Sequence, residues 1–154
     1  MTTLTGFNKI TVREINSPRG TYNTVMIIDD SDADRLIFSQ LVTATGFSKK
    51  ILEADSAAYV MEWLSKFGNK PDDSLPGFIF LDLLMPEMNG FEFLDAFDKL
   101  PTAIKIRCKI IVFTSTSEKE NRKKVMHHKT VYDFFSKPLK AEYFNKIRKE
   151  FRLV

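Results

Sequence analysis

The residues of this chain that could do chemistry sit where apolar runs stop. Asp29 and Asp30 follow TVMII (24–28), and Asp82 ends FIFLD (78–82). KIIVFT (109–114) ends in Thr114 and runs on into Ser115 and Thr116, while Ser136-Lys137-Pro138 follows VYDFF (131–135). Carboxylates within a few ångströms of one another repel strongly. A divalent cation relieves that repulsion, and a donor set made only of oxygen favours Mg²⁺ or Ca²⁺. Mg²⁺ in particular binds through few carboxylates, several waters and phosphoryl oxygens. Lys137 adds a mobile positive charge suited to phosphate, and Thr114 adds a hydroxyl donor. Phosphoryl transfer is mostly positioning and charge neutralisation, and a carboxylate can itself be the nucleophile, forming an aspartyl phosphate.

Each residue taken singly has a plainer reading. An Asp pair after a strand is ordinary turn chemistry. Asp82 could cap the segment that follows, Thr114 is a β-branched strand residue, and a Lys before Pro is usually solvated. The case for a site rests on their common placement, which follows from the elements that carry them.

Those elements alternate. TVMII (24–28) reads as a buried strand. Ser31 and Asp34 have the spacing of a capping box, with Asp in place of Glu. The helix they open places Ala33, Leu36, Ile37, Leu41 and Ala44 on one face and ends at Gly46. KKILEA (49–54) is a second strand, followed by a helix through Ala57, Val60, Met61 and Leu64. Residues 68–77 form a loop, FIFLD a third strand, and 83–90 a loop containing Pro and Gly. A helix over 91–100 uses Phe91, Leu94 and Phe97 and exits at Pro101. KIIVFT is the fourth strand, Ser117 caps a helix to about His128, VYDFF is the fifth strand, and 139–151 is the last helix, with Tyr143, Phe144, Ile147 and Phe151 as its stripe. Strands alternating with helices in this way predict an α/β fold with a parallel sheet covered on both faces. In such a sheet all C-terminal strand ends share one edge, where ligands of open α/β sheets bind. The polar residues above all fall on that edge.

The bulk numbers agree with one ordinary domain. The chain has 154 residues, is 44% apolar and carries a net charge of +3. A charge this mild gives no strong reason to expect a nucleic acid or membrane-surface partner. One Cys, Cys108, excludes an internal disulfide and a multi-Cys metal site, and reads as a small buried hydrophobe at a strand start. No segment approaches the roughly 20 apolar residues of a membrane span, and no signal peptide is evident. The expected location is therefore cytoplasmic. Residues 1–22 are polar and weakly patterned and read as a tail or small extension, with 23–154 as the domain.

IIDDSDADR, FLDLLMPEMNG, VFTST and FFSKP, in that order, resemble the signature segments of the response-regulator receiver family, over roughly 24–151. The second has that family's Asp-x-x-Met-Pro-x-Met-x-Gly pattern. The resemblance implies a (βα)5 doubly wound, five-stranded parallel sheet of flavodoxin-like order 2-1-3-4-5. It implies that Asp82 is the phosphoacceptor. Asp30 would be the main Mg²⁺ carboxylate, helped by Asp29 and by the backbone carbonyl of Leu84. Thr114 would bond a phosphoryl oxygen and Lys137 would pair with the group. The donor would be a phosphohistidine on a sensor histidine kinase or a histidine phosphotransfer protein. Phe134, three positions before Lys137, holds the place of the family's aromatic switch residue, where Tyr is commoner; Phe has no hydroxyl to offer a partner. On this reading the protein is a stand-alone signalling switch rather than an enzyme. Its output runs through an unidentified protein partner, or the chain is a relay that passes the phosphoryl group on to a histidine; a homodimer through the face of the fourth and fifth helices stays open.

Two other classes compete. A phosphatase of the haloacid-dehalogenase type also uses an aspartyl nucleophile, but its pattern is Asp-x-Asp, and here Asp82 is followed by Leu83 and Leu84. A receiver fold that no longer uses phosphate would be a plain binding module; the full set of site side chains argues against it. The cationic stretch Lys119, Arg122, Lys123, Lys124, with His127 and His128, reads as a solvated helix with its cations near the favourable C-terminal end.

Overall fold

The computed structural model describes residues 2–3, 10–15, 22–115 and 119–151. Thr116 and the expected cap Ser117 lie outside the described residues, as do parts of the 1–22 segment. In chain order the elements are β1 (Thr2–Thr3), β2 (Ile10–Glu14), β3 (Tyr22–Ile28), α1 (Asp32–Thr45), β4 (Ser48–Ala54), α2 (Ala57–Ser65), β5 (Phe78–Leu81), α3 (Gly90–Asp98), α4 (Thr102–Arg107), β6 (Lys109–Thr114), α5 (Lys119–Met126), β7 (Val131–Ser136) and α6 (Ala141–Glu150).

The sheet order is β1-β2-β4-β3-β5-β6-β7. From β4 to β7 every pairing is parallel, which is the expected doubly wound order 2-1-3-4-5. The strand count differs from the expected five. β2 pairs antiparallel along its whole length with β4, from Ile10 opposite Ala54 to Glu14 opposite Lys50, and β1 pairs with β2. The segment ITVRE, within the stretch expected to be a tail or small extension, is therefore a paired strand between β1 and β4, half-covered over most of its length. Its partner lies some forty residues away in sequence, so no local pattern announces the pairing.

The sheet separates two apolar layers. On one face α1 and α6 pack through Phe38, Val42, Phe144 and Ile147 onto Phe80, Ile111 and Phe113. Phe38, Phe47, Phe80 and Phe144 meet there at ring separations of 4.9–6.3 Å, mostly tilted or edge-on as ring quadrupoles prefer. On the other face α2 to α5 contribute Val60, Leu64, Phe93, Phe97, Ile104 and Val125. His128, just after α5, is tied to the end of α3 through Asp98, which also accepts from the Thr130 hydroxyl at 3.1 Å.

Two expectations are corrected. The face of α1 that enters the core is Phe38, Ser39 and Val42, whereas Leu36 and Ile37 are exposed, at 51% and 39%. Phe38 decides the helix's rotation, because it is the side chain that completes the aromatic cluster. The turn after Pro101 also carries a short helix, α4, too brief for apolar periodicity to reveal. Elsewhere the punctuation holds. Gly46 ends α1 in the left-handed region at φ 62°, its N–H bonding back to the last turn. Cys108 is fully buried, and burial pushes its thiol up to about 12.

Candidate phosphoryl-acceptor site

The carboxylates are brought together by the sheet ladder, which continues one residue beyond the strands. The Asp29 N–H donates to the Ala54 carbonyl at 3.0 Å, and the Asp82 N–H to the Ile28 carbonyl at 3.0 Å. The Lys137 N–H donates to the Thr114 carbonyl at 2.8 Å. Asp29, Asp82, Thr114 and Lys137 thus occupy neighbouring positions along the C-terminal edge. A carboxylate oxygen from each of Asp29, Asp30 and Asp82 lies within 4.8 Å of the others. Asp29 and Asp82 are buried, while Asp30 faces solvent.

Lys137 stands at the centre. Its Nζ lies 2.9 Å from Asp29 Oδ2, 2.7 Å from Asp34 Oδ2 and 3.4 Å from Asp82 Oδ2. It also sits 5.1 Å from the centre of the Phe113 ring. The Lys137-Pro138 peptide is cis. Burial alone would lower the ammonium's affinity for its proton; the hydrogen bonds it donates to Asp34 and Asp29, with the charges of Asp29 and Asp82, more than offset this, so its pKa is raised.

For the acids, loss of water dominates. Burial raises Asp29 to about 6, against the opposing pull of the Ser31 N–H and Lys137, and the charge of Asp82 adds to the rise. Burial also raises Asp82, opposed by Lys137 and by the Leu84 N–H, which lies 3.4 Å from Asp82 Oδ1. The Thr114 hydroxyl acts weakly on Asp82 in that same lowering direction, yet its geometry is not that of a formed hydrogen bond, and Thr114 Oγ1 is fully buried without a partner. A buried hydroxyl left unbonded costs about 1–3 kcal/mol. Two crowded carboxyls, a cation and an unspent donor are what an oxyanion with a divalent cation would satisfy together.

The remaining expected residues fall as follows. Leu84 sits two residues past Asp82 with its side chain 55% exposed, in the loop rim rather than the core. Phe134 is packed inward at 5% exposure, with the Arg122 guanidinium 5.8 Å from its ring centre. Two residues at the site were not anticipated. Ser31 does accept from the Asp34 N–H at 3.2 Å, but the Asp34 carboxylate goes to Lys137 instead of back to the cap. Arg35 donates to the Asp29 carbonyl at 2.6 Å and pairs with Asp32, bracing the acidic turn. The spacing signal for Asp34 was present, but a cap fully accounted for it.

The loop after Asp82 is held against the acceptor by close backbone approach. Gly90 opens α3 with its N–H on the Leu83 carbonyl at 2.9 Å. Asn89 caps that helix in a complete capping box with Glu92. Glu87, at the tip, has a positive φ of 64°.

The family described as "Response regulator receiver domain" matches residues 25–148. Among curated relatives, "Two-component response regulator ORR1" of Oryza sativa subsp. indica is 29% identical over 127 residues, covering 81% of this chain and 53% of that protein. The chain thus spans about half the length of that relative. "Two-component response regulator ORR5" of Oryza sativa subsp. japonica is 28% identical over 129 residues, covering 84% of this chain and 88% of that protein. A solved two-component response regulator from Cytophaga hutchinsonii superposes with a TM-score of 0.76 at 22% identity, covering 84% of this chain and 96% of that one. A response regulator receiver protein from Dyadobacter fermentans gives 0.72 at 25% identity, covering 82% and 95%.

Proposed function

The chain belongs to the response-regulator receiver family of two-component signalling, and on that premise we propose that it is a phosphorylation switch with Asp82 as the acceptor. The observation that carries this is the Lys137 ammonium bridging Asp29 and Asp82 beside a buried Thr114 hydroxyl with no partner. Residues 23–154 form the switch, with 1–22 as an extension that adds β1 and β2 to the sheet and ends on the first residue of β3, Tyr22.

An Asp82 carboxylate oxygen bonds to phosphorus as the P–N bond to a donor phosphohistidine breaks, the electron pair staying on the imidazole nitrogen. The donor is a sensor histidine kinase or a histidine phosphotransfer protein. Lys137 donates to one phosphoryl oxygen, and Thr114 turns its unspent hydroxyl toward another. Asp30, Asp29, Asp82 and the Leu84 carbonyl would hold Mg²⁺; the all-oxygen donor set and the crowding of the acids fit it. When bound, that ion supplies charge neutralisation between the carboxylates and the phosphoryl group.

The new group brings about −1.5 to −2 of charge. Thr114 moving toward it leaves space beside β6, and Phe134 shifts in response. That biases a two-state surface formed by α5, β7 and α6, which the output partner reads. The place of action is the cytoplasm. Among the described residues no helix is long and apolar enough to cross a membrane.

The test is incubation with acetyl phosphate, with and without Mg²⁺, read as intact mass, with Asp82→Asn as control. A single Mg²⁺-dependent phosphoryl adduct, absent in the variant, establishes the chemistry. No adduct under conditions that modify a control receiver sinks it and leaves a phosphate-independent binding module.

A further inference from the structure

Lys137 has one carboxylate contact more than phosphoryl binding needs. Its shortest contact is to Asp34 Oδ2, at 2.7 Å, against 2.9 Å to Asp29 and 3.4 Å to the acceptor Asp82. An ammonium has three N–H donors, and three carboxylates lie within reach of them, so no donor is left over for an incoming phosphoryl oxygen. Asp34 is anchored for this. It sits in the first turn of α1 with its N–H bonded to the Ser31 cap at 3.2 Å, and its side chain reaches across to the loop after β7. It is also the most releasable of the three. Its side chain is 32% exposed, whereas those of Asp29 and Asp82 are 0% and 6%. Water can take over solvation of Asp34 when Lys137 leaves, which it cannot do for the buried pair.

We propose that Asp34 is an electrostatic brake on phosphoryl acceptance: a positioning residue that parks Lys137 in the unmodified protein and competes with the phosphoryl group for it afterwards. The proposal rests on Asp82 being the acceptor. Two effects act in the same direction. Lys137 must give up its shortest ion pair to meet the phosphoryl oxygens, and the Asp34 charge stands close to the path of an anionic donor. In the reaction with acetyl phosphate an Asp82 oxygen bonds to phosphorus while the P–O bond to the acetyl group breaks. Acetate leaves with the electron pair, and Lys137 stabilises the phosphoryl oxygens without losing a proton.

The experiment follows adduct growth by intact mass with acetyl phosphate and Mg²⁺. It compares the unsubstituted chain, Asp34→Asn, Asp34→Ser and Asp34→Glu, with Asp82→Asn as blank. Adduct lifetime is measured after donor removal, and thermal melting shows that each variant is folded. Asp34→Asn and Asp34→Ser are expected to form adduct about 1.5- to 5-fold faster at low donor concentration, a range typical of one partly exposed charge contact. They should also hold the adduct longer, and Asp34→Glu should return the slow rate. The gap should narrow at high salt, because an exposed charge is screened; a merely structural role would not produce that. If the unsubstituted chain takes no phosphoryl group, the acceptor reading fails and this one falls with it. If that chain is modified but folded Asp34→Asn and Asp34→Ser are no faster, the brake alone is overturned.

Discussion

Gly90 presses against the backbone of the acceptor: a Cβ placed on it would come 2.7 Å from the Asp82 carbonyl oxygen and 2.7 Å from Leu83 Cα. Both obstacles are main chain, so no rotamer change relieves them. The glycine therefore sets how closely α3 can approach the strand end that bears Asp82.

Gly90→Ala should destabilise the fold by about 1–3 kcal/mol despite the better helix propensity of Ala. A urea titration checks this through a lowered midpoint at unchanged slope. A loss under about 0.5 kcal/mol, within the usual range for surface changes, would show that the loop gives way freely.

Thr114→Val should act in opposite directions on stability and chemistry. Removing a buried hydroxyl that has no partner leaves the unmodified protein as stable or more so, by up to about 1 kcal/mol. The same change should slow adduct formation at Asp82 and uncouple it from partner binding. Denaturant midpoints and intact-mass kinetics on one preparation test both halves, and a clearly lowered midpoint would mean that the hydroxyl is already bonded.

The sequence could show Asp29, Asp30, Asp82, Thr114 and Lys137 because each interrupts or follows an apolar run, and a parallel sheet sends all such interruptions to one edge. It could not show Asp34, since a residue three past a Ser is fully explained as a cap and its reach to Lys137 depends on how α1 lies over the loop after β7. The buried face of α1 was misread for a related reason. Leu36 and Ile37 are as apolar as Phe38 and Val42, and only the aromatic cluster on the sheet chooses between them. β2 was hidden because strand pairing is non-local.

Stability should fall as pH rises in the absence of Mg²⁺. The folded Asp29 pKa is raised to about 6, above the unfolded value of about 3.9. Its contribution is thus complete below about pH 4 and lost as pH passes 6, and Asp82 is shifted the same way. Lys137 stays protonated throughout this window and adds no slope. Metal-free protein should be less stable at pH 7 than at pH 5 by about 1–2 kcal/mol. Asp29→Asn should flatten that slope; chemical denaturation at the two pH values measures it.

Mg²⁺ should raise the melting temperature at pH 7. At ten times its Kd, linkage gives about 1.4 kcal/mol, or roughly 3–5 °C for a chain of this size. Asp30→Asn should abolish most of that shift while barely changing metal-free melting, because Asp30 faces solvent. An equal shift in the variant would place the ion elsewhere.

β2 lies along β4 from Ile10 to Glu14, and this has a consequence for how the protein behaves in a crowded solution. Without β2, the outer side of β4 would offer a row of unpaired N–H and C=O groups, a ready template onto which another molecule could add a strand. Residues 10–14 occupy that template and move the open boundary outward to a shorter, less buried segment. A version lacking residues 1–15 would keep every side chain of the acidic cluster, yet its vulnerability would shift from chemistry to self-association, and it should aggregate at concentrations that the longer chain tolerates.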